Sequence, residues 1–448
     1  MLVSRGSRSA ALVAGAALLF TVSACGPDQG AETTTSAVRL YGTDGNMQNT
    51  FAAEFKEKTG LLDGMKGTTP LTPLSEDFKR RLLGVDSKLT GFLYAGETYD
   101  AVVISALAAQ LAGSNKPAEI AKQINGVTNG GERCDSPATC LPLARNGVDI
   151  EYRGVSITRG GFTDAGEPST ASYATLHFDK NDQINDGKTE FVGAGDEATA
   201  STGSPPSGKK EGEGKSHSGD PLKIGGLLPR TGDLALAYPP LAAASALAIK
   251  EINAAGGVFG KPVVWLDGDD GTNPDVAKAT VRKHAQDGVN VVIGAGASGI
   301  SRAVLPDVVA AGLILFSPCN TDAGLSTVDD KGLYFRTAPS DILQGRALAD
   351  VILRDGPHKI ALVARKDSYG EGLQGNVRAE LERAGFGGDK VKLYTYTPPP
   401  DPKTDRVDFT ASANDIKSSG ADAVLVIGYG ESAQVIEALA AAGVEIAH

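Results

Sequence analysis

The residues Leu40-Tyr41 run into Gly42-Thr43-Asp44-Gly45, a tight turn that displays one carboxylate, and Phe51 and Phe55 follow at helical spacing. A strand, a turn bearing an acid and a helix start are therefore expected, and an acid so placed can meet a cation. A second turn, Gly294-Ala295-Gly296-Ala297-Ser298-Gly299, joins the apolar run VNVVI to the helical pattern ISRAV. A glycine turn at a helix N-terminus offers backbone N–H groups and the positive end of the helix dipole to an anion, a carboxylate as well as a phosphate. Ser298 adds a hydroxyl.

Other spacings raise chemistry that their surroundings do not support. Gly294, Gly296 and Gly299 match a dinucleotide-binding pattern, so an NAD-dependent oxidoreductase is an alternative reading. The following strand LILF ends in Ser317-Pro318 without the acidic residue that grips a ribose, and the glycines sit on the third strand of their unit rather than the first. Gly203 to Lys209 imitates a phosphate loop, but Lys210 stands where Ser or Thr must hold magnesium, and no strand precedes it. Asp267, Asp269 and Asp270 lack the glycine and distal glutamate of a calcium loop and read as a solvated strand end. With five scattered histidines there is no metal set, and no nucleophile stands with a base. The expectation is a binding protein, not an enzyme, with no cofactor.

The elements that position these turns alternate regularly from Leu222 onward. LKIGGLLP, VVWLDGD, VNVVIGAG, LILFSP, KIALVARKD, VKLYTYTP and DAVLVIGY are strands separated by helices such as ALAIKEINAAGG and GLQGNVRAELERAG. Buried apolar strands alternating with helices mean parallel sheets with right-handed crossovers. Upstream, GETYDAVVISALAAQLAG is a long core helix with Tyr99, Val102, Val103, Ala106, Leu107 and Leu111 on one stripe, and residues 172–192 read as strands around a turn at KNDQ. Residues 194–221 carry Gly, Ser, Pro and charge without apolar periodicity, a flexible linker averaging roughly 30 Å end to end. The 448 residues suit two domains. A net charge of −11 opposes nucleic-acid binding.

The first 25 residues carry Arg5 and Arg8, an apolar stretch ALVAGAALLFTV of secretory length, and Val22-Ser23-Ala24-Cys25, which resembles the lipobox of bacterial lipoproteins. That similarity implies diacylation of Cys25, a tether over 26–37, and anchoring to the outer face of the cell membrane. Export also permits disulfides. Cys134 and Cys140 enclose the proline-containing loop DSPAT and are expected to pair at the surface, whereas Cys319 is left over as a packed thiol.

The stretches LKIGGLLPRTG, LAIKEINAAGGVFGKPV, FSPCNTDAGL, GLYFRTAPSD and DSYGEGL, in that order, resemble the type 1 periplasmic-binding-protein family, in particular its branched-chain amino-acid substrate-binding lipoproteins. The resemblance implies two Rossmann-like α/β lobes joined by a hinge and closing on a small ligand. It implies that Ser298 and Thr321 meet a ligand carboxylate, that the Cys319 carbonyl meets an ammonium, and that Asn320 belongs to the ligand-binding set. Tyr369 and Tyr429 would wall the second lobe. Read as side chains alone, Ser298 equally caps a helix, Thr321 closes a turn, and the tyrosines are strand-end aromatics. The family's acidic partner of the ammonium is missing after SAQVIEALAAAG, and a matching turn occurs instead at Asp44. The chain order therefore reads as a circular permutation. Residues 38–70, 151–193 and 342–448 then fall to the second lobe and its hinge return, 71–150 and 222–341 to the first. The resemblance implies a monomer that delivers an amino acid or similar zwitterion to an ABC permease, with a ligand-sensing receptor of the same fold as the alternative.

Overall fold

A computed structural model describes residues 37–55, 60–210, 220–400 and 404–447. The targeting segment, Cys25, most of the tether and His448 lie outside the described residues. Two sheets organise the rest. The smaller is built around β7 (Lys223–Leu227), β8 (Val264–Leu266), β9 (Val291–Gly294), β10 (Ile314–Ser317) and β11 (Tyr334–Arg336). Its order is β11-β10-β9-β7-β8, with every pairing parallel. The larger joins β1 (Arg39–Gly42), β2 (Lys66–Pro70), β5 (Thr170–His177), β6 (Glu190–Gly195), β12 (Ile360–Arg365), β13 (Val391–Tyr396) and β14 (Ala423–Ile427). Its order is β13-β12-β14-β1-β2-β5-β6, parallel as far as β2 and antiparallel through β5 and β6. The short pair β3 (Glu132–Cys134) and β4 (Ile150–Tyr152) lies beside the first lobe's helices.

Strand β1 sits in the interior of the larger sheet, between β14 and β2, so its neighbours come from distant parts of the chain. The Val38 N–H donates to the Glu445 carbonyl at 2.6 Å and the Ala447 N–H to the Val38 carbonyl at 2.8 Å. Strands β12 and β14 are buried along their whole length, which is why IALVAR and AVLVI are continuous apolar runs rather than alternating ones.

The helix Ala95–Ala112 is buried on every side, not along one stripe. It packs against the helices Tyr238–Ala254 and Pro117–Val127 as well as against the smaller sheet. Its many alanines keep the helix thin enough to be surrounded in this way. Phe51 and Phe55 are buried with rings edge to face, but the segment Asn49–Glu54 is a 3-10 helix, tighter than the amphipathic α-helix their spacing suggests.

The stretch 194–221, expected as a linker, is in part seated on the first lobe. The Lys209 N–H donates to the Leu111 carbonyl at 3.0 Å, and Gln123 donates to the Pro206 carbonyl at 3.0 Å. Residues 211–219 lie outside the described residues. Cys134 and Cys140 form a disulfide with Cα atoms 5.3 Å apart, but both are buried, so the expected surface bridge lies inside the first lobe.

Candidate functional site

Three loops at the carboxyl ends of strands converge between the lobes. The turn after β1 is built by Asn46, whose side chain accepts from the Thr43 N–H at 2.8 Å and donates to the Val426 carbonyl at 3.0 Å. Gly45 is required there, because a Cβ would lie 2.3 Å from the Gly428 carbonyl oxygen. This close approach fixes Asp44 beside Tyr429.

Asp44 is 5% exposed and its carboxylate is fully engaged by the protein. Oδ1 accepts from Tyr369 and from Gln344 Nε2, each at 2.8 Å, and Oδ2 accepts from Tyr94 at 2.8 Å. Burial raises its carboxyl above the ordinary range, and these three donors offset part of that rise. The Tyr369 hydroxyl is in turn bonded to Thr43 Oγ1 at 2.8 Å.

The anion side is arranged differently from the simple glycine-turn expectation. The Gly296 N–H donates to Asp270 Oδ2 at 2.7 Å and the Ala295 N–H to Ser301 Oγ at 3.1 Å, so protein groups already occupy these donors. Ser298 does not cap its own helix, whose N-cap is Ala297. Its hydroxyl instead accepts from the Thr321 and Asp322 N–H groups, both at 3.3 Å, tying the turn after β9 to the loop after β10. Asn320 works from behind the cavity. Its amide donates to the Ala295 and Gly296 carbonyls at 3.1 and 3.0 Å. The fully buried Arg336 grips the same loop through the Asn320 and Asp322 carbonyls at 3.1 and 2.9 Å and pairs with Glu167.

Asp44, Ser298, Cys319, Thr321, Tyr369 and Tyr429 thus line one cavity of about 10 Å³, closed by Leu93, Tyr94 and Leu234 among others. Of the expected site residues only Asn320 is not on its wall. The Cys319 thiol is 7% exposed, and burial, with Glu97, Asp270 and Asp44 nearby, pushes it up and keeps it protonated.

Four further participants were not singled out as site residues from the sequence. Tyr94 has φ 55°, a left-handed backbone that non-glycine residues rarely adopt and that aims its hydroxyl at Asp44. Gln344 shares its helix with Asp341, a buried carboxylate. Arg365 lies with its guanidinium carbon 4.0 Å from the Tyr429 ring centroid, and the Tyr369 ring stacks on Tyr429 with centroids 5.2 Å apart. Arg365 also bonds Glu431 at 2.7 Å, Asp367 at 2.5 Å and, across the lobes, Asp233 at 3.5 Å.

Two mainly parallel-sheet lobes closed over a small buried cavity define a two-lobed ligand-binding fold. Residues 221–447 match the family model described as periplasmic binding protein, half of the chain, and the chain belongs to that family. The Leu/Ile/Val-binding protein homolog 3 of Brucella melitensis is 29% identical over 211 residues, 46% of this chain and 54% of that protein. The leucine-specific-binding protein of Salmonella typhimurium is 34% identical over 139 residues, 30% of this chain and 37% of that one. The chain spans about half, or less, of the length of the curated relatives it matches. A solved structure of the branched-chain amino-acid transporter substrate-binding protein LivJ from Streptococcus pneumoniae, in complex with isoleucine, is similar with a TM-score of 0.42 and 26% identity, over 51% of this chain and 63% of that one.

Proposed function

We propose that this chain is an extracytoplasmic solute-binding protein that captures an amino acid or a similar small zwitterion between its lobes for an ABC permease. The observation that carries this reading is the convergence of Asp44 with the Ser298 and Thr321 loops on one closed cavity. In this reading Asp44 meets the ammonium, and the hydroxyls of Ser298 and Thr321 meet the carboxylate. Charge-assisted hydrogen bonds in a water-poor cleft are shorter and stronger than neutral ones, which favours a zwitterion over an uncharged sugar. Binding to both lobes shifts an open–closed equilibrium toward closure. Lipid anchoring through Cys25 and action as a monomer belong to the same proposal.

The reading includes a circular permutation relative to the family. It is supported by the place of β1 beside β14, because the family match begins at residue 221 while the acid-bearing turn follows β1. Titration calorimetry with L-leucine, L-isoleucine and L-valine tests the function. Binding by the wild-type chain that is reduced at least a hundredfold in Asp44→Ala is expected; equal affinity in the variant removes Asp44 from the site.

A further inference from the structure

Next to the site lies a second, larger chamber of about 320 Å³, and Leu93 lines both. The inner cavity, at about 10 Å³, has room for about one water molecule. The second chamber has the size of an ordinary small-ligand pocket. Its walls come from both lobes: Leu71, Leu89, Phe92 and Leu236 from the first, Met47, Leu176 and Phe191 from the hinge and second lobe. An occupant would therefore bridge the lobes, as the inner site does.

The polar groups of the two compartments are opposite in kind. The inner site presents the Asp44 carboxylate. Behind it, Gln344 Oε1 is a buried acceptor without a partner. Beside hydroxyls that can act either way, the chamber presents two ammonium groups and an unpaired amide donor. Gln48 lines it, is 7% exposed, and its Nε2 is buried without a hydrogen-bond partner, a costly state unless an acceptor meets it. Lys79 and Lys88 stand at its wall against one lining carboxylate, Asp186. Lys79 is paired with Glu76, whereas Lys88 has no carboxylate partner among the described residues.

We infer that the chamber beyond Leu93 is a second compartment of the ligand site, and that the preferred ligand is a short apolar peptide rather than a single amino acid. Its ammonium lies at Asp44, its first carbonyl takes the Ser298 and Thr321 position, and its body passes Leu93. Its terminal carboxylate then reaches Gln48 and Lys88. The inference rests on the proposed receptor function and names the ligand class for it.

Calorimetry with L-leucine and L-leucyl-L-leucine on the wild-type chain, Gln48→Leu and Lys88→Gln tests it. The dipeptide is expected to bind at least tenfold tighter than leucine. Either substitution should remove most of that advantage while leaving leucine affinity and the melting temperature unchanged. Neither side chain is held by a side-chain hydrogen bond among the described residues, so both variants should fold. Leucine binding with no gain for the dipeptide, or a gain that survives both substitutions, overturns the second compartment and leaves the amino-acid receptor standing. Failure of the folded wild-type chain to bind either compound overturns both.

Discussion

The Tyr94 hydroxyl, on the first lobe, donates to Asp44 Oδ2, on the second, at 2.8 Å. This bond completes the three-donor shell of a buried carboxylate and at the same time ties the two lobes. Tyr94→Phe leaves Oδ2 without that donor, and a hydrogen bond to a charged group is worth about 1.5–3 kcal/mol. The unliganded variant should therefore populate the open form more. Small-angle scattering should report a larger radius of gyration for the variant than for the wild-type chain, and an unchanged radius would mean that other contacts hold the lobes.

Arg365 is a second tie, and its removal acts on folding. It is 4% exposed and is the cation shared by Asp367, Glu431 and Asp233. Arg365→Met strands these carboxylates in a buried setting, where breaking an ion pair from one side costs about 3–5 kcal/mol. It also removes the guanidinium from the Tyr429 face. A melting temperature lower by several degrees is expected in differential scanning calorimetry, with weaker ligand binding because Tyr429 loses its support. A melting temperature within a degree of wild type would contradict this role.

The fold was legible where one face of chemistry repeats along the chain. Buried parallel strands such as IALVAR and AVLVI announce themselves as apolar runs, and turns such as Gly42–Gly45 by their glycines. Tyr94 was not legible, because its part in the site comes from a left-handed backbone and from packing against a turn fifty residues upstream. Arg365 and Arg336 end apolar strands and look like ordinary exits to solvent, yet both are buried by partners remote in sequence. Residues 194–210 have linker composition, and what seats them is largely backbone hydrogen bonding, which composition does not register.

Asp341 offers a test that separates stability from binding. Its carboxyl is fully buried, and burial together with the nearby Asp44 charge pushes it well above the ordinary range, with Thr321 and Arg336 opposing that rise. The side chains of Thr321, Asp322, Arg336, Tyr173 and Tyr369 surround it from the other elements. An acid in such a place destabilises the fold, so Asp341→Asn should raise the melting temperature by a few degrees. Because the carboxyl is held neutral, the same change removes no charge from the ammonium end and should leave amino-acid binding close to that of the wild-type chain. Thermal scanning and calorimetry on one preparation read both effects, and a less stable variant would show that the acid is held by partners in solution.

The pH dependence of stability follows from three other buried acids. Burial pushes Glu97 up to about 8, with Asp100 adding to it. Asp270 is pushed to about 7 by burial, against the hydrogen bonds it accepts from Thr272 and Gly296. Asp233 is also pushed to about 7, by burial and by Glu431, with Arg365 opposing. Each is harder to ionise in the folded chain than in the unfolded one, so between pH 8.5 and 6.5 the folded chain binds more protons and stability rises as pH falls. Asp355 and Asp422 are held below the usual carboxylate range and stay ionised throughout this window. His177 and His284 are held below 6.5 by burial and act in the opposite sense, beginning near the bottom of this window and growing at lower pH. The melting temperature should therefore be several degrees higher at pH 6.5 than at pH 8.5, and Glu97→Gln should flatten the upper part of that curve. A melting temperature that is level or rises with pH across this window would mean that these carboxyls ionise as freely in the folded chain as in the unfolded one.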